Sequence, residues 1–242
     1  MTTGSPYRIF SLGDSAITLD FGNVIHEKIN QYIIVLFYQL KEKPLQGMIE
    51  AVPAYSSLTI YYNPFLVQKI IRENKSSCEW ITEQLEKRIQ LPLEQNENKP
   101  SVIKIPVCYD KEFGSDLELI ANEKDISIDE VIKIHLSKAY RVYMLGFLPG
   151  FSYMGQVDER IEMPRKTQPR QKVEAGSVGI AGKQTGIYPV ASPGGWQIIG
   201  RTPLKLFDMN LANKENTESI CLLHPGDEVM FYSITKDEFK NY

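Results

Sequence analysis

Apolar and polar residues along the first part of the chain follow two periods. Four short apolar runs are typical of β-strands: residues 7–12, 16–21, 48–53 and 57–62. Between the second and third runs, apolar residues recur at intervals of three and four, which predicts a helix over 26–40. A second helical pattern covers 65–89, with an interruption near 75–77. This order predicts an α+β domain with its helices on one face of the sheet.

Glycines are concentrated in the second part of the chain. Ten of the 16 glycines lie between Tyr140 and Phe207, so this segment predicts short strands joined by tight turns. Before it, we expect a strand over 102–109, a helix over 116–124 and another helix that begins with a capping box at Ser127 and Glu130. After it, two more runs are typical of strands, 220–223 and 229–234. Many short strands with glycine turns predict a closed or nearly closed barrel.

A polar segment separates the two parts. Residues 91–100 include two prolines and almost no apolar residue after Leu93, which is typical of a linker. We therefore expect an α+β domain over 1–93, a linker over 94–100 and a mostly β domain over 101–242.

Composition narrows the cellular setting and the partners. The 242 residues are 43% hydrophobic, enough to build substantial cores. A formal charge of −3 gives no general attraction to nucleic acid or to a membrane surface, so neither is an expected partner. Three cysteines without paired spacing argue against a disulfide framework. With no signal-peptide pattern and no apolar run of membrane-spanning length, the sequence predicts a cytoplasmic protein.

Few side chains are candidates for chemistry. Ser177 lacks the full nucleophile motif of hydrolases, and no Walker-type phosphate loop occurs. The three histidines lack ligand spacing, so no metal site is expected. His135 stands on the helix that leads into the glycine-rich segment, and two interpretations are open: an imidazole that acts near neutral pH, or a structural residue.

Basic residues of the glycine-rich segment indicate a site for a small anion. They are Arg165, Arg170, Lys172, Lys183 and Arg201. Guanidinium groups bind carboxylate or phosphate in a fork, and glycine turns let backbone amides approach the same anion. The alternative is that these cations are solvated or contact a partner chain. Five aromatic residues either line a pocket or fill the barrel: Phe147, Phe151, Tyr153, Tyr188 and Trp196.

Four motifs of this segment carry a resemblance to a known family. They are Gly146-Phe147 with Pro149-Gly150-Phe151, Pro164-Arg165 with Pro169-Arg170, AGSVGIAGKQTGIYP over 175–189, and SPGGWQIIGRTP over 192–203. With these motifs the chain resembles the bacterial family of 5-oxoprolinase B subunits. That family is also described as the sporulation-kinase inhibitor family, as allophanate hydrolase subunit 1 and as carboxyltransferase domain subdomains C and D.

The resemblance implies a ferredoxin-like α+β domain followed by a cyclophilin-like β-barrel. It also implies that the chain works with subunits C and A to open the ring of 5-oxo-L-proline, giving L-glutamate at the expense of ATP. Mg²⁺ would enter the assembled complex as the counter-ion of ATP. Two alternatives stay open: an inhibitor of a sensor histidine kinase, and a subunit of an allophanate-hydrolase-like amidohydrolase.

The chemistry of the residues, taken with this resemblance, assigns roles to individual residues. The residues expected to be catalytic are His135, Arg165 and Arg201. Those expected to bind substrate or phosphate are Arg170, Lys183, Gln184, Gly195 and Trp196. Lys183 departs from the family pattern, in which a glycine is usual at this position.

Overall fold

The computed structural model describes residues 7–72, 74–92, 102–211 and 220–242. The chain forms two units, Met1–Lys99 and Pro100–Tyr242, each with a hydrophobic core of its own. The expected linker over 94–100 lies outside the described residues. None of the described helices is both long and apolar enough to cross a membrane.

The first unit is an antiparallel sheet of four strands with three helices. Its elements are β1 (Arg8–Ser11), β2 (Ala16–Asp20), α1 (Glu27–Glu42), β3 (Met48–Pro53), β4 (Ser57–Tyr62), α2 (Pro64–Ile70) and α3 (Ser77–Gln90). The strands lie in the order β1-β2-β4-β3. All four predicted strands are confirmed, and the predicted interruption separates α2 from α3.

Local sequence signals set the helices of this unit. Asn63 accepts two backbone N–H groups at the start of α2, and Ser76 and Glu79 form a reciprocal capping box at the start of α3. On α1, Ile33 and Leu36 belong to the predicted apolar face and are fully buried. Burial of this face against the sheet is what makes the helix stable, because isolated helices of this length are marginal in water.

The second unit is built around a seven-stranded sheet. Its elements are β5 (Val102–Val107), α4 (Leu117–Lys124), α5 (Ile128–Leu136), β6 (Tyr140–Leu145), β7 (Ser152–Gly155), β8 (Arg170–Val173), β9 (Ser177–Ala181), β10 (Gln184–Ile187), β11 (Ser192–Gly194), β12 (Gln197–Arg201), β13 (Glu228–Ser233) and α6 (Lys236–Lys240). The strand order is β12-β9-β10-β7-β6-β13-β5, and β8 pairs with β11 in a separate sheet. Only β13 and β5 run parallel among the described pairs.

The seven-stranded sheet nearly closes on itself. Cys108, just after β5, and Arg201, at the end of β12, exchange two backbone hydrogen bonds of 2.9 and 3.0 Å. These bonds join the two edge strands. The expectation of a closed or nearly closed barrel is therefore confirmed as a nearly closed, barrel-like sheet within a mixed α/β chain.

Apolar residues pack on both faces of this sheet. Val178 and Ile180 of β9 belong to the barrel core, whereas the alternate residue Ala181 belongs to a second cluster. We call this second cluster the outer cluster; it comprises Phe151, Val173, Ala181, Tyr188, Trp196 and Ile198. Gly186 of β10 leaves room for it, because a Cβ there would stand 3.0 Å from the Trp196 ring and 2.7 Å from the Ser152 carbonyl oxygen.

The predicted strand over 220–223 is wrong. Within this segment, a single isolated β-bridge joins Cys221 to Phe207. The run is apolar, but Leu222 is 37% exposed while its neighbour Leu223 is buried in the barrel core. One buried side chain anchors the segment without extending it into a regular ladder.

Candidate functional site

A cleft in the second unit gathers aromatic and cationic side chains, and we call it the aromatic cleft. It encloses about 300 Å³. Its lining consists of Phe147, Phe151, Tyr153, Arg165, Lys166, Pro169, Tyr188, Pro193, Gly194, Gly195 and Trp196. This volume is at the small end of ligand pockets and suits a small ring compound.

Edge-to-face packing fixes the aromatic wall of the cleft. The Phe151 ring lies 5.4 Å from the Trp196 ring and 5.2 Å from the Tyr188 ring, with interplanar angles of 86° and 83°. Tyr153 meets Trp196 at 5.8 Å. Because each ring is held by its neighbours, the wall is preformed before any ligand arrives.

Arg165 supplies a positive charge to the cleft. Its guanidinium carbon lies 5.8 Å from the centre of the Trp196 ring, within the range of a cation–π contact. Among the described residues, no carboxylate pairs with it. Burial raises the pKa of the Tyr153 and Tyr188 phenols, while Arg165 opposes that rise. At neutral pH both phenols are therefore protonated, and the cleft carries the Arg165 guanidinium without a phenolate charge.

Phe147 presents an aromatic ring from a turn with an unusual backbone. Its φ is +68°, a left-handed value that is uncommon outside glycine, and its side chain is 65% exposed. The turn is closed by bonds from the Leu148 N–H to the Gly146 carbonyl and from the Phe151 N–H to the Leu148 carbonyl. Residues held in such conformations concentrate at ligand sites, which agrees with its place in the cleft lining.

Lys166, the second cation of the lining, is held by a carboxylate. Asp116 precedes α4 but does not cap that helix. Instead it accepts from the Lys166 ammonium at 2.9 Å, the Arg170 guanidinium at 2.6 Å and the Ile198 N–H at 2.6 Å. Arg170 also donates to the Trp196 carbonyl at 3.2 Å. We call Asp116, Lys166 and Arg170 the Asp116 cluster; it ties the loop that carries Lys166 to the strand that follows Trp196.

The structure brings some predicted site residues together and separates others. Arg165, Gly195 and Trp196 all line the aromatic cleft, and Arg170 lies beside it in the Asp116 cluster. Arg201 lies instead in a separate depression of about 160 Å³, of which Arg170 forms another part. Its guanidinium donates to a backbone carbonyl 2.7 Å away.

Lys183 and Gln184 do not line the aromatic cleft. Lys183 is exposed, and its ammonium lies 3.9 Å from Glu162. Gln184 begins β10, where it stands opposite Gly155 of β7. Their roles in binding substrate or phosphate stay predictions.

His135 is enclosed in the barrel core. Its Nδ1 lies 2.9 Å from the Tyr109 hydroxyl and its Nε2 lies 3.2 Å from the Thr185 hydroxyl. The Phe231 and Tyr140 rings stack on the imidazole at 4.7 and 5.2 Å. Burial lowers the pKa of His135 to about 3, so the ring is neutral at physiological pH. None of these four neighbours lines the aromatic cleft, and the predicted catalytic role is not favoured by this position.

Sequence analysis did not identify Lys166 or Asp116. Lys166 could have been found from its place directly after Arg165 in the Pro-Arg motif. Asp116, with Leu117, is among the positions at which the sequence resembles the family, but an aspartate just before a helix is also the ordinary pattern of an N-cap, and it was assigned no role in the site. Its partner Ile198 lies 82 positions further along the chain.

Comparison with known proteins places the chain among described families. The sequence profile of the carboxyltransferase domain, subdomain C and D, matches residues 7–217. The 5-oxoprolinase B subunit of Bacillus subtilis is 44% identical, over 98% of this chain and 96% of that protein. The 5-oxoprolinase B subunit of Escherichia coli O157:H7 is 37% identical, over 93% of this chain and 94% of that protein.

A solved structure agrees with these sequence matches. The conserved uncharacterized protein PH0987 from Pyrococcus horikoshii is 42% identical, with a TM-score of 0.54 over 96% of this chain and all of that chain. The resemblance inferred from the four motifs is thereby confirmed. The chain belongs to the carboxyltransferase domain, subdomain C and D, family, together with the 5-oxoprolinase B subunits to which it is similar.

Proposed function

We propose that this chain is the B subunit of an ATP-dependent 5-oxoprolinase, which acts with subunits C and A to convert 5-oxo-L-proline to L-glutamate. The observation that carries the proposal is the identity to the Bacillus subtilis B subunit, which extends over nearly the whole of both proteins. Similarity of this extent covers both units of the chain.

The aromatic cleft is the proposed substrate site. 5-Oxo-L-proline is a five-membered lactam that carries one carboxylate, so it combines a compact ring with a single negative charge. Arg165 would bind the carboxylate, and the Trp196 indole would pack against the ring. Burial keeps the Tyr153 and Tyr188 phenols protonated, so neither adds a negative charge that would oppose the carboxylate.

In this proposal the chain binds and orients the substrate, and partner subunits complete the reactive site. No histidine, aspartate or glutamate is among the described residues that line the cleft, and these are the usual acids and bases of enzymes. ATP, bound with Mg²⁺ in the assembled complex, supplies the phosphoryl group that makes the lactam carbonyl a better electrophile. The described residues include no group of three or more His, Cys, Asp or Glu that could hold a metal ion, and we assign no residue to Mg²⁺.

The proposal includes the finer fold names and the cellular setting. The antiparallel sheet with helices in the first unit supports a ferredoxin-like domain over 1–93, and the barrel-like sheet supports a cyclophilin-like domain over 101–242. The complex is proposed to work in the cytoplasm.

Reconstitution tests the function. The purified chain is mixed with candidate subunits C and A, and ATP hydrolysis and L-glutamate release are followed with and without 5-oxo-L-proline. We expect no activity from the chain alone and, from the assembly, ATP hydrolysis that depends on 5-oxo-L-proline.

The same assembly separates the alternatives. Hydrolysis that responds to allophanate and not to 5-oxo-L-proline would favour the amidohydrolase. Failure of the chain to bind the other subunits, combined with inhibition of a sensor histidine kinase, would replace the enzyme proposal altogether.

A further inference from the structure

The backbone on either side of Arg165 determines where its guanidinium points. Arg165 is an exposed residue, yet its guanidinium carbon lies 5.8 Å from the centre of the Trp196 ring. An exposed side chain keeps one direction only where its backbone is fixed, because a long side chain has many accessible rotamers. On the C-terminal side of Arg165, the Lys166 N–H donates to the Gly195 carbonyl at 2.7 Å.

On the N-terminal side of Arg165, a side chain makes the corresponding bond. The Gln197 Nε2 donates to the Pro164 carbonyl at 2.9 Å. Gln197 is 4% exposed and pairs with Ile180 of β9, so the base of its side chain is fixed in the barrel sheet. The amide presents nitrogen to Pro164, because only its nitrogen can donate to a carbonyl. Of the two bonds that flank Arg165, this is the one that a side-chain substitution can remove.

The other end of the same amide indicates why a glutamine stands here. The Gln197 Oε1 is buried and has no hydrogen-bond partner among the described residues. A buried acceptor without a partner lowers stability, and an apolar side chain of the same length would avoid that loss. The hydrogen bond to the Pro164 carbonyl is therefore the property of Gln197 that an apolar residue could not supply.

We propose that Gln197 is a positioning residue, which holds Arg165 over the indole so that the guanidinium meets a ligand carboxylate in the aromatic cleft. This inference rests on the proposed function, because it concerns the same cleft. Gln197 is not among the described residues that line the cleft, so its effect on a ligand passes through Pro164 and Arg165. Its contribution to affinity should therefore disappear when the guanidinium is absent.

The substitution Gln197→Met tests the amide donor. Methionine keeps an unbranched side chain of similar length and cannot donate to the Pro164 carbonyl. The probe is cyclopentanecarboxylate, and its dissociation constant for the full-length chain is measured by NMR titration. We expect this constant to rise roughly five- to tenfold, the range that corresponds to one hydrogen bond. Gln171→Met is the matched control, because Gln171 is an exposed glutamine on β8, and it should keep the wild-type constant.

A double-mutant cycle separates positioning from a general structural role. In an Arg165→Ala background, Gln197→Met should change the dissociation constant by less than about twofold, because the group that it positions is gone. A purely structural role would weaken binding by the same factor with and without Arg165. That result, or an unchanged constant in Gln197→Met itself, would overturn the inference.

The wild-type chain keeps the inference testable if Gln197→Met does not fold. The NMR signals of the Gln197 side-chain amide should shift when the probe binds, since the amide is bonded next to Arg165. Those of Gln171 should not shift. Equal behaviour of the two amides, or no binding of the probe, would reject the inference.

Failure of the proposed function has a different signature. The probe would still bind, and Gln197→Met would still act only in the presence of Arg165, yet the reconstituted subunits would not turn over 5-oxo-L-proline. Conversely, turnover of 5-oxo-L-proline combined with equal effects of Gln197→Met in both backgrounds would leave the function standing and remove Gln197 from its proposed role.

Discussion

In the proposed site, Arg165 combines an observed contact with an expected one, and both suit a guanidinium better than an ammonium. Its planar group faces the Trp196 ring, and its N–H donors match a carboxylate. We predict that Arg165→Ala raises the KM for 5-oxo-L-proline roughly 10- to 100-fold, since charge-assisted hydrogen bonds contribute about 1.5–3 kcal/mol. Steady-state kinetics of the reconstituted complex would measure this change.

Arg160→Ala is the control for this substitution. It removes an exposed arginine that pairs with Asp158 outside the cleft, and should leave KM unchanged. Equal KM values for both variants would remove Arg165 from the site.

His135 makes the stability of the second unit depend on pH. Burial lowers the pKa of His135 from 6.5 to about 3. Between these values the unfolded chain binds a proton that the folded chain does not, so this residue's contribution to stability falls as the pH drops from 6.5 towards 3. The slope is about 1.4 kcal/mol per pH unit at most.

The variant His135→Gln should lose that pH dependence. We expect it to be less stable than wild type at neutral pH, because it loses ring packing and hydrogen bonds. The difference should shrink by about 1 kcal/mol for each unit of pH below 6.5. Urea unfolding at several pH values would measure it, with His26→Gln as an exposed control. A difference that stays constant with pH would show that His135 titrates normally.

Sequence could predict the cleft's local residues but not their long-range partners. Arg165 and Trp196 stand in motifs whose residue types already indicate anion and ring binding. Asp116 meets the Ile198 amide across 82 positions, and no local pattern encodes that contact. The burial of His135 could not be predicted either, because the sequence pattern of a histidine on an apolar helix face is the same whether or not the barrel encloses it.

At the scale of elements, a glycine on β10 lets the indole of the outer cluster pack closely on the barrel. A Cβ at Gly186 would stand 2.7 Å from the Ser152 carbonyl oxygen and 3.0 Å from the Trp196 ring. We predict that Gly186→Ala destabilises the second unit by about 1–3 kcal/mol and displaces the indole. Denaturant unfolding and the tryptophan emission maximum would report both effects.

Gly146→Ala is the control for that substitution. The nearest atom to its Cβ is the flexible methyl end of Met144 at 3.3 Å, which can move aside. We expect little change in stability or emission. If Gly186→Ala behaved like this control, close packing of the indole on β10 would not be a requirement of the cleft.

Element prediction succeeded where the period of apolar residues was clear. The strands of the first unit and the helix after Ser127 follow from their patterns and caps. The separate pairing of β8 with β11 does not follow from the sequence, because both strands are short and their residue types do not indicate which strands pair. The incorrect prediction of a strand over 220–223 has the same cause. An apolar run indicates that side chains are buried, but a regular strand also needs a neighbouring strand to pair with.

At the scale of the whole molecule, the proposed binding of an anion to an acidic chain depends on a local field. The net charge of −3 repels a carboxylate at long range, whereas the Arg165 guanidinium attracts it within the cleft. Salt screens both interactions, and the Debye length falls from about 10 Å at 0.1 M to about 3 Å at 1 M. The direction of the salt effect therefore shows which interaction controls affinity.

We predict that the local contact dominates. Cyclopentanecarboxylate, a monoanion with a five-membered ring, serves as the probe. Its dissociation constant for the full-length chain should rise several-fold as NaCl increases from about 0.05 to about 0.5 M, because screening weakens the pairing with Arg165. In Arg165→Ala the same titration should be nearly flat, and Arg160→Ala should follow wild type. Isothermal calorimetry at constant pH would measure all three. Affinity that improves with salt in wild type would mean that the net negative charge governs the encounter, since screening would then relieve repulsion more than it weakens attraction.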